Sequence, residues 1–259
     1  MADFLSRILE SRRASVEASK AFVGLDEVRR ESGLRSEPRD FAGALSQPGM
    51  SLIAEFKRAS PSRGDLKPGL DPIVQASAYE EGGARALSVL TEPEFFKGSA
   101  QDLVEARSVT SLPVLWKDFV IDPYQVAQAR AHTADAVLLI VRILDDELLS
   151  ALIQEAGRWG MAALVEVFDE RDLKRALEAG ASIVGVNHRD LETFEEDTEA
   201  TMRLKPLVPD GVTTVAESGI WTSEDVQAYA TIGVDAILVG EALVRAPDPA
   251  AKIRELLAT

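Results

Sequence analysis

Six side chains able to move or hold a proton stand at the ends of apolar runs in this 259-residue chain. In LIAEFKRASPS, residues 52–62, Glu55 and Lys57 stand two apart at the exit of a run suited to a core. Side chains at i and i+2 of a strand share a face, so these two project together and Phe56 projects the other way. Lys117 closes LPVLWK, Glu166 lies near the end of AALVEV, Asn187 closes SIVGVN and Glu217 closes VTTVAE. Taken singly, each is equally well a solvated strand end or half of a salt bridge. Together at matching positions, they are not explained by stability. Carboxyls and ammoniums fixed in one cleft shift one another's pKa values toward general acid–base work. AESGIWTSED (216–225) and LVGEALVRAPDP (238–249) each put a glycine, Gly219 or Gly240, just after the run and before helical sequence. Such a glycine makes a tight turn, or opens a set of backbone N–H groups to a phosphate.

The elements that must position these residues recur along the chain. Short runs rich in Val, Ile and Leu occupy 51–56, 84–90, 112–117, 135–141, 162–167, 182–187, 212–217 and 235–240. Amphipathic stretches such as DDELLSALIQEAGRWG separate them, with helical spacing and a closing glycine. Nearly all-apolar strands alternating with helices predict a parallel sheet covered by helices. Eight such units predict a (β/α)8 barrel of the α/β class, typically about 250 residues, with its active face at the C-terminal strand ends. A doubly wound open sheet is the rival, but no G-x-G-x-x-G follows the first run. Residues 1–46 read as two or three helices, broken near Gly33 and Pro38. They are expected to pack on the barrel (47–259) as an extension of a single domain. The stretch SRGDLKPGLDP (62–72) is either a mobile lid or a plain connector.

Composition limits the partners. The formal net charge of −15 and the lack of a basic stripe argue against nucleic acid. No apolar stretch approaches the length of a membrane span, and acidic residues interrupt the N-terminal helix pattern, so neither a membrane anchor nor a targeting peptide is expected. The chain has no cysteine, which removes disulfides, thiolate metal sites and a cysteine nucleophile. A cytoplasmic protein is expected, with a monomer favoured.

The segments IAEFKRASPS, SVLTEPEFFKGS, LPVLWKDFVIDPYQ, ADAVLLIV, LVEVFDERDL, GVNHRDLETF, VAESGI and AILVGEALV resemble the indole-3-glycerol phosphate synthase family. The resemblance runs from about residue 50 to 247 and includes an E-x-K-x-x-S-P-S signature. It implies closure of the ring of 1-(2-carboxyphenylamino)-1-deoxyribulose 5-phosphate, with loss of carbon dioxide and water, as a step of tryptophan biosynthesis. No metal or cofactor is implied. Lys117 would be the general acid at the ketone and Glu166 the acid/base partner in dehydration. Lys57 would sit near the substrate carboxylate, with Glu55 and Asn187 orienting these groups. Ser60, Gly219, Gly240 and the amide of Glu241 would hold the phosphate. Arg189 and Glu217 would complete a polar rim, with Ser218 also on the substrate. Phe96, Leu138, Leu191 and Leu238 would pack the aromatic ring.

An anionic substrate on so acidic a chain needs local lysines and arginines, because the global field repels it. For Lys117 to serve as an acid, burial and neighbouring cations would have to lower its pKa against the pull of Glu55 and Glu166. His188 reads as a loop residue rather than a catalyst or metal ligand, and Trp221 is large for its loop. Three rival functions remain: a phosphoribosyl isomerase, expected to need a catalytic cysteine; a Schiff-base aldolase using Lys57 or Lys117; and an inactive scaffolding barrel, expected to have lost one of the paired charges.

Overall fold

Eight parallel strands close into a barrel, and each strand keeps one side chain in two for the interior. The computed structural model describes residues 4–61, 63–191 and 193–258. The strands are β1 (Ser51–Phe56), β2 (Ala86–Leu90), β3 (Val114–Lys117), β4 (Ala136–Ile140), β5 (Ala162–Val167), β6 (Ile183–Asn187), β7 (Thr213–Glu217) and β8 (Ala236–Val239). Each pairs with its sequence neighbours, and β1 closes the ring on β8 with Ser51 opposite Ala236. The expected architecture is observed, with six of the eight strands trimmed by one or two residues at an end.

Parity along each strand sorts the core into two. Leu52, Ala54 and Phe56 of β1, with Trp116 of β3 and Val165 and Val167 of β5, face the helices. Ile53, Leu115, Leu138, Leu164, Ile183, Val215 and Leu238 fill the barrel. Counting on by two from this inner set reaches Glu55, Lys117, Ile140, Glu166, Gly185, Glu217 and Gly240. The same pleat that packs the barrel floor therefore delivers the polar side chains to its C-terminal mouth.

Three helices precede β1: α1 (Phe4–Phe22), α2 (Leu25–Gly33) and α3 (Phe41–Leu45). Val23 and Gly24 break the chain between α1 and α2, a boundary absent from the expected breaks. Phe41 and Leu45 join the inner core, and the Leu45 carbonyl accepts from the Ser51 hydroxyl at 2.9 Å, so α3 plugs the N-terminal end of the barrel. Leu5 and Ile8 of α1 join the same inner core together with Phe119 and Phe168, which follow β3 and β5. Helix α1 thus covers the opposite end, over the C-terminal mouth. Most barrel helices open on an acid or hydroxyl cap, such as Asp71, Ser99, Asp122, Asp145 and Thr222, each accepting from first-turn amides.

Within the stretch 62–72, Gly64–Asp65 pairs antiparallel with Ala59–Ser60 as a short hairpin. Ser62, the last residue of the E-x-K-x-x-S-P-S signature, lies outside the described residues. Among the described residues, no helix is long and apolar enough to cross a membrane.

Candidate active site

At the C-terminal mouth the strand ends surround an open cavity. Its polar floor is built from two lysines and three glutamates on four strands. Lys57 lies one residue beyond β1 and holds its Nζ 2.7 Å from Oε1 of Glu55, two residues back on the same inner face. Opposite, Lys117 Nζ stands 3.4 Å from Oε2 of both Glu166 and Glu217. Glu55, Glu166 and Glu217 are all buried, the last two 1% exposed. Glycines make this crowding feasible: a side chain at Gly185 would run into the Glu217 carboxylate, and one at Gly240 would come within 2.5 Å of Glu55 Oε1.

Burial and charge set the protonation of the group. Burial pushes the Glu55 carboxyl up, but Lys57 and then Lys117 outweigh it, leaving Glu55 below the usual carboxylate range. Burial works to lower the Lys117 pKa, yet Glu166, Glu217 and Glu55 together override it and raise it. Lys117 is therefore an ammonium throughout the physiological range, contrary to the lowered pKa that sequence reasoning required of it. Glu217 goes the other way: burial drives it up to about 8, against Lys117 and with help from Glu166. Deeply buried and facing Glu166, the Glu217 carboxyl keeps its proton through neutral pH. Among the described residues, Glu166 Oε1 and both Glu217 carboxyl oxygens have no hydrogen-bond partner, orphan polar atoms of the kind that mark a site built for something else.

The rest of the cavity divides into a polar side and an apolar wall. Asn187 Oδ1 accepts from the Arg189 amide at 3.0 Å and the Ser218 hydroxyl at 2.8 Å, which fixes its amide orientation and leaves its NH2 as donor. Arg189 pairs with Glu196. Ser60, Gly219, Gly240 and Glu241 line the same side. The Glu241 carboxylate is taken up by Arg245 at 2.9 Å and Arg63 at 3.6 Å. Phe96, Leu138, Leu191 and Leu238 form the apolar wall. All the site residues expected from the sequence therefore border one cavity. One differs in depth: Glu217 belongs to the buried floor beside Lys117 and not to a rim with Arg189.

Sequence reasoning missed the contribution of α1. Phe4, Leu5 and Ile8 line the cavity from above. One turn on, Arg12 is buried with Nη2 2.9 Å from Asp118 Oδ2, the residue next to Lys117. Burial pushes Asp118 up to about 6 even with Arg12 beside it. The signal was present, since Arg12 falls in the stripe Leu5, Ile8, Arg12, Val16. A charge on an apolar stripe requires a buried partner.

The family model for indole-3-glycerol phosphate synthase matches residues 5–256. The chain belongs to the indole-3-glycerol phosphate synthase family. An indole-3-glycerol phosphate synthase of Mycobacterium ulcerans is 48% identical over 256 residues, covering 99% of this chain and 94% of the relative. One from Roseiflexus sp. is 49% identical over 265 residues, covering 99% and 98%. Among solved structures, a 3-hexulose-6-phosphate synthase superposes with a TM-score of 0.66 at 19% identity, covering 81% of this chain and 99% of that one. The Salmonella typhimurium enzyme of the same name gives 0.65 at 18%, covering 81% and 97%. Those two likenesses speak for the barrel alone. Membership of the indole-3-glycerol phosphate synthase family rests on the sequence relatives, which span the helices before β1 as well as the barrel.

Proposed function

We propose that this member of the indole-3-glycerol phosphate synthase family converts 1-(2-carboxyphenylamino)-1-deoxyribulose 5-phosphate to indole-3-glycerol phosphate, with Lys117 as acid for ring closure and Glu166 as acid/base in dehydration. The observation that carries this division of labour is the Lys117 ammonium held between Glu166 and Glu217 and facing the cavity. The ring carbon bearing the carboxylate attacks the ketone carbon, and the ketone oxygen becomes an alkoxide. An alkoxide is basic enough to take a proton even from an ammonium whose pKa is raised. Lys117 then acts chiefly on the transition state, where its buried charge is worth most. Carbon dioxide leaves with its bonding electrons returned to the ring, which restores aromaticity. Glu166 takes up the proton lost from the neighbouring carbon and passes it to the new hydroxyl, which departs as water. The sequence balances without oxidant or reductant, and the reading calls for no cofactor.

Lys57, paired to Glu55, meets the substrate carboxylate and shares acid duty. The neutral Glu217 carboxyl, with Asn187, orients the reacting oxygens. Ser60, Gly219, Gly240 and the Glu241 amide take the phosphate, with the Glu241 side chain turned to Arg63 and Arg245. Phe96, Leu138, Leu191 and Leu238 hold the aromatic ring, and Arg189 and Ser218 complete the polar side. In this reading residues 1–46 are an extension of the one catalytic domain. The enzyme works as a cytoplasmic monomer on a small phosphorylated substrate, apart from nucleic acid and membranes.

The decisive test is incubation of the purified chain with the anilino-ribulose phosphate in chelator, followed by indole fluorescence and product mass. Stoichiometric indole-3-glycerol phosphate and carbon dioxide are expected. Absence of both from folded protein would defeat the proposal.

A further inference from the structure

His188 follows Asn187 directly at the end of β6, yet it points away from the chemistry and is 2% exposed. Its ring is fixed on three sides. Nδ1 lies 2.8 Å from the Ser218 carbonyl oxygen, Nε2 lies 2.7 Å from the Thr201 hydroxyl, and the ring stacks on Tyr229 at 5.5 Å between centroids. A carbonyl can only accept, so Nδ1 carries the proton and donates it. With the ring neutral, Nε2 accepts from the Thr201 hydroxyl. Burial, the largest influence on the ring, lowers its pKa and favours the same state.

The group it holds is unusual. Ser218 has φ +72 and Gly219 φ +69, two successive left-handed residues at the end of β7. A serine in this region is strained by about 1–3 kcal/mol and persists only where its surroundings impose it. Two contacts do so: Ser218 Oγ on Asn187, and the Ser218 carbonyl on His188. With that carbonyl pulled inward to the ring, the turn presents Ser218 and Gly219 to the cavity.

We infer that His188 is a positioning residue: through its Nδ1–H it pins the Ser218 carbonyl and so sets the left-handed Ser218–Gly219 turn that receives the phosphate of the substrate. This rests on the phosphate assignment made above. It extends that assignment to a side chain that touches no substrate atom.

The test compares His188→Leu, which keeps apolar bulk but removes the donor, with His188→Asn, whose amide NH2 can reach the position of Nδ1–H. In the full chain, His188→Leu should raise KM for the phosphorylated substrate about tenfold and change kcat less than about threefold. His188→Asn should recover KM to within about threefold of the parent. Calorimetric titration with inorganic phosphate should follow the same order without any turnover. That separates this inference from the catalytic proposal, since a chain inactive on the anilino-ribulose phosphate still reports on phosphate. An unchanged KM and phosphate affinity in folded His188→Leu, a loss of kcat alone, or failure of His188→Asn to recover affinity would each overturn the inference. Should His188→Leu not fold, Thr201→Val removes the hydroxyl that anchors Nε2 and so loosens the orientation of the ring without replacing it. About threefold weaker phosphate binding is then expected, and unchanged binding overturns the inference.

Discussion

Lys117 and Glu166 are 3.4 Å apart and share one ion pair, yet the proposed mechanism asks them to act at different moments. Lys117→Met removes a donor that matters mainly in the transition state, so kcat should fall by about 10²–10⁴-fold while binding suffers less. Nothing proceeds before the ring closes, so carbon dioxide and indole fluorescence should vanish together. Glu166→Gln should still close the ring and decarboxylate, so carbon dioxide should appear in a single turnover before indole. Release of both in step by Glu166→Gln would refute the division. Glu217 offers a separate test through pH. Its carboxyl ordinarily titrates near 4.5 and does so at about 8 when folded. Between those values the folded protein binds a proton that the unfolded chain has released, so stability falls as pH rises through that window. Glu217→Gln mimics the protonated form. It should match the parent near pH 5, exceed it near pH 9 and flatten the slope between, as urea midpoints at several pH values would record. Parallel curves for the two proteins would contradict the assignment.

Helix α1 stands to the mouth as a cover held by one buried charge pair and a few aromatic contacts. Phe4 packs edge-on against Phe95 and Phe194 at 5.2 and 5.1 Å, while Arg12 reaches Asp118. Removing one partner of a buried pair costs about 3–5 kcal/mol because the other charge is left uncompensated. Arg12→Met should therefore destabilise the protein by about 3 kcal/mol at pH 7. Asp118 titrates at about 6 in the fold and at 3.8 ordinarily. Near pH 5 it is protonated in both proteins when folded, so most of the penalty should disappear there. Thermal melts at the two pH values check this, and an equal loss at both would show that Arg12 contributes packing alone. Because Asp118 adjoins Lys117, a loosened α1 should also raise KM.

The whole molecule opposes its own ligand. A net charge of −15 surrounds a cavity that the proposed substrate would enter with a phosphate and a carboxylate. Screening that field should help encounter: kcat/KM should rise about twofold to threefold between roughly 0.01 and 0.15 M monovalent salt. Stopped-flow or initial-rate measurements would show it, and a steady fall with salt would mean that Lys57, Lys117 and Arg189 dominate even at long range.

The barrel was legible because its two rules are local and repetitive. Apolar runs of strand length alternate with helical stretches, and side-chain parity within a run settles which residue reaches the interior. From those rules alone Glu55, Lys117, Glu166 and Glu217 share an end, and the closed ring then shows that they share a face. The family signature in residues 55–62 and the matching segments named the chemistry. Other features needed the closed ring, because they join residues far apart in the chain. Lys117 meets Glu217 across a hundred positions, and the sign of its pKa shift depends on how many carboxylates the closed barrel brings near. Arg12 and Asp118 pair over 106 positions, and His188 reaches Ser218 over 30. Spacing within a strand or helix is written in the sequence. Which ends meet, how deeply they are buried and which carboxyl keeps the proton are properties of the tertiary structure, since desolvation and Coulomb energy depend on distance in space.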